Sequence, residues 1–246
     1  MITENFSFNR YEFKYIVDNV IANKIQEKLQ SYIRLDNFAK KQIKKSYKVI
    51  SLYFDDNRYT AYHDKIDGLH TRQKFRLRCY SKNINNTPVY MEMKGRTNNF
   101  VVKKRTEIKD KNIYKKKGFD LTKDLANLYL YSNNLLLSRF MLFFNKKKIK
   151  PVALVEYERK PYISKFDDTF RITFDAKLQA SQSYGLFEKN NKCFECLPGK
   201  SIIEIKFERY FPIWFYGIIQ EFNLQRISIS KICKSLETMN LTKDES

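Results

Sequence analysis

Arginine and lysine recur at every second position in several segments of the chain. The longest run is Arg72, Lys74, Arg76 and Arg78. Residues two apart lie on one face of a β-strand, so these four cations would share a face. Arginine binds a phosphate group through paired hydrogen bonds, and lysine binds it as a point charge. The spacing therefore predicts a strand face that binds phosphate groups.

Five other segments show the same alternation of charged side chains. They are Arg10, Glu12 and Lys14; Glu92 and Lys94; Lys103, Arg105 and Glu107; Arg171, Thr173 and Asp175; and Glu204, Lys206 and Glu208. One such strand would most simply face solvent, but the repetition indicates a common role. If the sheet closes into a barrel, cations line its interior and repel one another unless an anion is bound. A phosphate chain would supply that anion.

The intervening positions are typical of a core-facing side. Examples are Phe75, Leu77 and Cys79, and Ile203, Ile205 and Phe207. The carboxylates among the cations would repel a phosphate chain unless they held a divalent metal ion that bridges to phosphate oxygens. The candidate ligands are Glu12, Glu92, Glu107, Glu158 and Glu204.

The overall charge agrees with an anionic partner. The 246 residues include 47 Lys and Arg against 27 Asp and Glu, a formal net charge of +20. Nucleic acid, an anionic membrane surface and a phosphate-rich molecule all fit such a balance.

Hydrophobic periodicity predicts the elements that position these residues. Strands are expected at Arg10–Tyr15, Tyr47–Phe54, Gln73–Tyr80, Val89–Lys94, Phe100–Ile108, Ala153–Tyr162, Phe170–Asp175 and Ser201–Phe207. Helices are expected at Val17–Ile33, Lys123–Phe144 and Pro212–Asn223, and from Ser230 as N-cap. About eight strands and at least three helices predict an α+β fold. No linker or repeat divides the sequence, so a single domain, 1–246, is expected.

Two further features bear on the kind of site and the compartment. Cys193 and Cys196 form a lone C-x-x-C, and His63 and His70 lie far away in sequence, so we expect reduced thiols rather than a zinc site. The most apolar stretches are too short to span a bilayer, and the N-terminus lacks the apolar core of a signal peptide. No transmembrane segment and a cytoplasmic location are therefore expected.

Eight short motifs occur in a specific order along the chain. They are R-Y-E-F-K-Y at Arg10–Tyr15, S-L-Y-F-D-D at Ser51–Asp56, F-R-L-R-C-Y at Phe75–Tyr80, M-E-M-K at Met91–Lys94, V-E-Y-E-R-K at Val155–Lys160, R-I-T-F-D at Arg171–Asp175, I-I-E-I-K-F at Ile202–Phe207 and S-K-I-C-K at Ser230–Lys234. In this order the chain resembles the VTC domain of the CYTH, or triphosphate tunnel metalloenzyme, superfamily.

The resemblance implies an eight-stranded antiparallel β tunnel with flanking helices. It also implies a polyphosphate polymerase, which transfers the γ-phosphate of ATP to a growing polyphosphate chain and releases ADP. A divalent metal ion, Mn²⁺ or Mg²⁺, is the implied cofactor. ATP and polyphosphate are the implied partners, and a membrane-associated partner protein stays open.

The resemblance also assigns roles to individual residues. Triphosphate and product would be held by Lys14, Arg76, Arg78, Lys94, Arg159 and Arg171, by Lys103 or Arg105, and by Lys206. Glu204, with Glu12 as a second candidate, would bind the metal ion, and Lys231 and Lys234 would close the tunnel from a helix. Eukaryotic relatives carry one more arginine before R-L-R, and here Lys65, Arg72 or Lys74 could take its place.

Two other functions stay open at this point. A tripolyphosphatase or nucleoside triphosphatase of the same fold carries E-x-E-x-K on its first strand, whereas this chain has Arg10 at the first position and keeps only Glu12. A non-catalytic module that binds polyphosphate or nucleic acid is the third reading. The chain shows no RRM-like or OB-like stacking motif, so nucleic acid is not expected.

Overall fold

The computed structural model describes residues 11–83, 87–97, 100–188 and 192–242. Arg10, which was predicted to share a charged strand face with Glu12 and Lys14, lies outside these ranges. The described residues contain ten strands: β1 (Tyr11–Asp18), β2 (Ile33–Leu35), β3 (Tyr47–Asp55), β4 (Thr71–Cys79), β5 (Val89–Thr97), β6 (Phe100–Ile108), β7 (Lys150–Ser164), β8 (Arg171–Ser181), β9 (Phe194–Glu195) and β10 (Lys200–Phe207). The predicted α+β class is confirmed, and the closed eight-stranded tunnel stays a prediction.

Eight α-helices accompany the strands in the same described ranges. They are α1 (Asn19–Lys28), α2 (Asn37–Lys40), α3 (Thr60–Ile66), α4 (Lys111–Lys115), α5 (Gly118–Asn127), α6 (Leu135–Lys147), α7 (Ile213–Glu221) and α8 (Lys231–Thr238). Within the part of the chain that the structure describes, every helix is too short or too polar to cross a bilayer.

The chain forms two compact units. The first comprises Met1–Lys48, Tyr157–Leu178 and Leu197–Ile229, and the second comprises Val49–Glu156, Gln179–Cys196 and Ser230–Ser246. Strands β7 and β8 contribute residues to both. The single-domain expectation stays a prediction.

In the first unit the strands follow the order β1-β10-β8-β7, and β2 pairs with β7. The β1–β10 and β10–β8 pairs are antiparallel. Alternate residues of these strands, among them Tyr15, Ile172 and Ile203, are buried with residues of α1 and α7 in one hydrophobic core. The other side chains of the same strands therefore present the opposite face.

In the second unit the order is β3-β4-β5-β6, with antiparallel pairing throughout. Its core combines Phe75, Leu77 and Met91 with residues of α4, α5 and α6 such as Phe140. Phe75 and Phe140 meet edge to face at 5.4 Å between ring centroids. These helices cover one face of the strands, and the charged residues lie on the other.

Two predicted helices differ from the structure. The helix expected at Val17–Ile33 is shorter, because β1 continues to Asp18, which pairs with Lys200 in the strand register and as an ion pair of 3.2 Å. The helix expected at Lys123–Phe144 is interrupted by a 3₁₀ turn at Leu128–Tyr131. The Asn134 side chain then caps α6 by accepting hydrogen bonds from the Leu136 and Leu137 amides.

Candidate functional site

The predicted alternation of charge is present in the second unit. Strand register aligns three sets of residues across β4, β5 and β6: Lys74, Lys94 and Lys103; Arg76, Glu92 and Arg105; and Arg78, Tyr90 and Glu107. The side chains that alternate with them on β4 and β5 are core residues. The sequence therefore predicted correctly which residues share this face.

One buried carboxylate, Glu92, lies at the centre of that face and is 2% exposed. Its Oε2 accepts hydrogen bonds from Arg76 Nε and Nη2, at 2.8 and 2.5 Å. Arg78 Nη1 lies 3.8 Å from the same oxygen, and Lys103 Nζ and Arg105 Nε lie 3.9 and 3.6 Å from Oε1. We call these five residues the Glu92 cluster.

The Glu92 cluster holds more positive charge than its own carboxylate can neutralise. Four cations and one anion leave a net charge of +3. Burial opposes ionisation of Glu92, but the positive charges of Arg76, Arg78 and Lys103 outweigh it and lower its pKa to about 2. Glu92 is therefore ionised at neutral pH, and the excess charge is that of the cations around it.

Tyr53 lies beside the same cluster. Its hydroxyl accepts a hydrogen bond of 2.8 Å from Arg76 Nη1. Burial alone would raise the pKa of Tyr53, but Arg76 and Arg78 outweigh burial and lower the pKa to about 8. Tyr53 lies in the S-L-Y-F-D-D motif, but no role was predicted for it, because a tyrosine on a strand is most often a packing residue.

Lys74 is joined to the beginning of α8. Its Nζ lies 3.2 Å from Ser230 Oγ and 3.3 Å from Cys233 Sγ. Ser230 occupies the predicted N-cap position, but its hydroxyl makes no capping hydrogen bond within the described chain. Ser230 instead links the helix to the lysine of β4.

The other predicted cations of the second unit occupy different surroundings. Arg72 donates a 2.6 Å hydrogen bond to the Leu69 carbonyl, and Lys65 lies in α3 rather than on a strand. Lys94 is exposed. Lys231 is near enough to Tyr53 to lower its pKa, and Lys234 Nζ lies 3.9 Å from Glu237 in the next turn of α8.

The first unit carries a second face of alternating charge. The strand register aligns two sets of residues across β1, β10 and β8: Lys14, Glu204 and Thr173; and Glu12, Lys206 and Arg171. Lys14 Nζ lies 2.9 Å from Glu12 Oε1 and donates to the Ile229 carbonyl at 3.1 Å. Lys206 Nζ lies 2.6 Å from Glu204 Oε1. Lys14 and Lys206 are therefore each paired with a carboxylate of this face.

Arg159 of β7 belongs to this second face. It forms two 2.7 Å hydrogen bonds with Asp175, and its Nη2 lies 3.7 Å from Glu204 Oε2. Burial opposes the charge on Arg159, but Asp175 outweighs it and raises the pKa well above the usual value. Sequence reasoning placed Asp175 on the charged face but missed its role as the partner of Arg159.

Carboxylates on the second face fit a metal ion that is shared with phosphate. Mg²⁺ bound to a phosphate chain commonly uses only one or two protein carboxylates. Glu204 and Glu12 are diagonal neighbours in the strand register. Thr173 Oγ1, opposite Glu204, is buried and has no hydrogen-bond partner among the described residues. An ion there would have to compete with Lys206 and Lys14 for the carboxylates.

A metal site made of protein ligands alone is not found in the described ranges. They contain no group of three or more His, Cys, Asp and Glu residues placed to hold an ion. Cys79, Cys193, Cys196 and Cys233 are all free thiols.

A comparison with models of protein families assigns the chain to a family. The family model for the VTC domain matches residues 9–240 of the 246-residue chain. None of the curated proteins matches it. The matched segment contains every residue of the two charged faces described above.

Proposed function

Because this chain belongs to the VTC domain family, we propose that it is a polyphosphate polymerase. In the proposed reaction a terminal oxygen of the polyphosphate chain attacks the γ-phosphorus of ATP. A new phosphoanhydride bond forms, the bond between the γ-phosphorus and the bridging oxygen breaks, and ADP leaves with that oxygen.

The observation that carries the proposal is the excess positive charge of the Glu92 cluster. A purely structural ion pair needs one cation for each carboxylate, whereas Glu92 has four cations within 4 Å. Cations held this close repel one another unless an anion shares the site. A phosphate chain carries the required charge and offers oxygens to several cations at once.

The chemistry requires little beyond what these residues supply. Phosphoryl transfer depends mainly on positioning and on neutralising the charge of the transferred group. Arg76 and Arg78 would orient phosphate oxygens, because hydrogen bonds to Glu92 and to Ser51 Oγ, respectively, hold their guanidinium groups in place. Lys103 and Lys94 would add charge along the same face. The terminal phosphate is ionised at neutral pH, so the attacking oxygen needs no strong base.

The first unit would bind the metal ion through its carboxylates and would supply further cationic side chains. Glu204, with Glu12, would hold Mn²⁺ or Mg²⁺, and Lys14, Lys206 and Arg171 would contact phosphate. When bound, such an ion withdraws charge from the phosphate oxygens that it contacts. Asp175 would keep Arg159 in one orientation through their two hydrogen bonds.

The eight-stranded tunnel that the family resemblance implies is part of this proposal. Support for it comes from each unit taken singly, because each presents a strand face of alternating charged residues opposite a hydrophobic core. Lys231 and Lys234 of α8 would then close the tunnel at one side.

One incubation tests the proposed activity. The purified chain is mixed with ATP and Mn²⁺, and polyphosphate and ADP are measured together. One molecule of ADP is expected for each phosphate unit that is added to the polymer. Orthophosphate without polymer would indicate a hydrolase, and binding without turnover would indicate a receptor, so either result contradicts the proposal.

A pair of lysine variants separates local charge from overall charge. Lys103→Ala removes one cation of the Glu92 cluster, whereas Lys115→Ala removes an exposed cation of α4. Lys103→Ala is expected to lower the rate of polymer synthesis by about tenfold, and Lys115→Ala to leave it within about twofold. Equal effects would mean that only the net charge of the protein matters.

A further inference from the structure

The charged face of the second unit ends in aromatic residues. Tyr90 lies opposite Arg78 in the strand register, and Tyr80 directly follows the last residue of β4. Their rings are 6.4 Å apart between centroids, with planes at 62°. The face therefore changes along its length from cations to a pair of tyrosines.

Arg105 connects these tyrosines to the Glu92 cluster. Its guanidinium carbon lies 3.4 Å from the Tyr90 ring centroid and 5.8 Å from that of Tyr80. Its Nη2 lies 3.5 Å from the Tyr80 hydroxyl, and its Nε lies 3.6 Å from Glu92 Oε1. These contacts hold the guanidinium against one ring, and the Arg105 side chain remains 37% exposed.

We propose that Tyr80, Tyr90 and Arg105 form a platform for the base of a nucleoside triphosphate, whose phosphates extend along the face toward Arg76, Lys103 and Lys94. This inference rests on the proposed function and adds to it the recognition of the nucleoside. Bases stack on aromatic rings and on the planes of arginine guanidinium groups. The outer side of the Arg105 guanidinium, backed by Tyr90, offers such a plane.

The spacing along β5 suits a ligand with a base at one end and phosphates at the other. Tyr90, Glu92 and Lys94 share one face and follow one another at about 7 Å, from a rise of about 3.3 Å per residue. A base on Arg105 would thus leave its phosphates beside Arg76 and Lys103, which surround Glu92. The terminal phosphate would extend toward the set formed by Lys74, Lys94 and Lys103.

The platform makes Arg105 different from the other cations of the cluster. A phosphate ligand acts through its charge, which lysine can also supply, whereas a stacking residue acts through its planar guanidinium. Tripolyphosphate has the phosphates but no base. Comparing a nucleotide with tripolyphosphate therefore isolates the contribution of the platform.

Isothermal titration calorimetry tests the platform directly. The affinities of tripolyphosphate and of the β,γ-imido analogue of ATP are measured for the wild-type protein, Tyr90→Leu, Tyr90→Phe and Arg105→Lys. The ratio of analogue affinity to tripolyphosphate affinity is expected to fall about tenfold in Tyr90→Leu and in Arg105→Lys, and to stay within about twofold in Tyr90→Phe. Thermal melting shows whether each variant is folded, and Arg105→Lys provides the test if Tyr90→Leu does not fold.

The outcomes separate this inference from the proposed function. An unchanged ratio in Arg105→Lys and Tyr90→Leu would overturn the platform while leaving phosphate binding intact. Failure of wild-type protein to bind tripolyphosphate would overturn the proposed function itself, and the platform with it. A wild-type ratio near one would also exclude recognition of the base.

Discussion

Arg159 and Asp175 are joined by two parallel hydrogen bonds, Nε to Oδ1 and Nη2 to Oδ2, each 2.7 Å long. Asp175 is 1% exposed. Two hydrogen bonds to a buried carboxylate fix the plane of a guanidinium group, so Arg159 would contact any ligand in a single orientation. Its charge is already balanced, which distinguishes it from the arginines around Glu92.

Asp175→Asn should lower the free energy of unfolding by about 3 kcal/mol, because it leaves the buried Arg159 charge without its partner. Urea unfolding of the wild-type and variant proteins measures this loss. Asp168→Asn is the matched control, since Asp168 pairs with Arg34 at 2.8 Å but is 82% exposed. That control should cost less than about 1 kcal/mol. Equal losses of stability in the two variants would show that the buried Arg159–Asp175 pair matters no more to folding than the exposed Arg34–Asp168 pair.

Arg76→Ala should abolish polymer synthesis and also destabilise the protein by about 3 kcal/mol, because it removes the closest partner of buried Glu92. Arg76→Ala with Glu92→Gln should recover most of the stability and none of the activity. Thermal melting and the polymer assay give the two readings. Activity in the stable double variant would show that Arg76 serves the fold alone.

Glu92 should make the protein less stable in acid. Its pKa falls from the ordinary value of 4.5 to about 2 on folding. A carboxyl group with a lowered pKa stabilises the folded state above the unfolded pKa, and that contribution is lost as the pH falls from about 4.5 to about 2. The loss should be about 3 kcal/mol. Urea unfolding at several pH values in this range should show a smaller decline for Glu92→Gln, and an identical decline would argue against the lowered pKa.

Tyr53 should ionise near pH 8, earlier than an ordinary tyrosine. As the pH rises through that value, a phenolate adds one negative charge beside Arg76, and tripolyphosphate should bind about fivefold more weakly. Absorbance of the phenolate and the affinity for tripolyphosphate should change over the same pH range. Tyr53→Phe should lack both changes, and persistence of the affinity step in this variant would assign it to another group.

Glu204→Gln should weaken Mn²⁺ binding in the presence of tripolyphosphate by at least about tenfold, because the proposed ligand loses its charge. Glu221→Gln is the matched control, since Glu221 lies at the end of α7, pairs with Lys28 and is 45% exposed. Calorimetric titration with Mn²⁺ compares the two. An equal loss in both variants would reject Glu204 as the particular ligand.

Much of the strand arrangement could be predicted because alternation is a local property. The bounds expected for β6, Phe100–Ile108, are those observed, and Arg76, Glu92 and Arg105 share a face as predicted. What could not be predicted depends on contacts between distant residues. The Arg159–Asp175 pair and the link from Lys74 to Ser230 require the register of whole strands and the position of α8, which no short window of sequence contains.

Helix ends were less predictable for a related reason. Val17 has the apolar character of a helix residue and fits the spacing of α1. It nevertheless lies in β1, where it pairs with Ser201 of β10. Tertiary pairing decided between the two structures there. At Asn134, a side-chain cap restarted a helix that periodicity alone would have continued.

The alternation of side chains along β5 also restricts how this protein can change in evolution. Loss of one residue within the strand would turn Glu92 toward the hydrophobic core and Met91 or Met93 toward the charged face. Both the site and the core would fail together. Descendants of this gene can therefore vary β5 by substitution at single positions, whereas insertions and deletions should accumulate outside it.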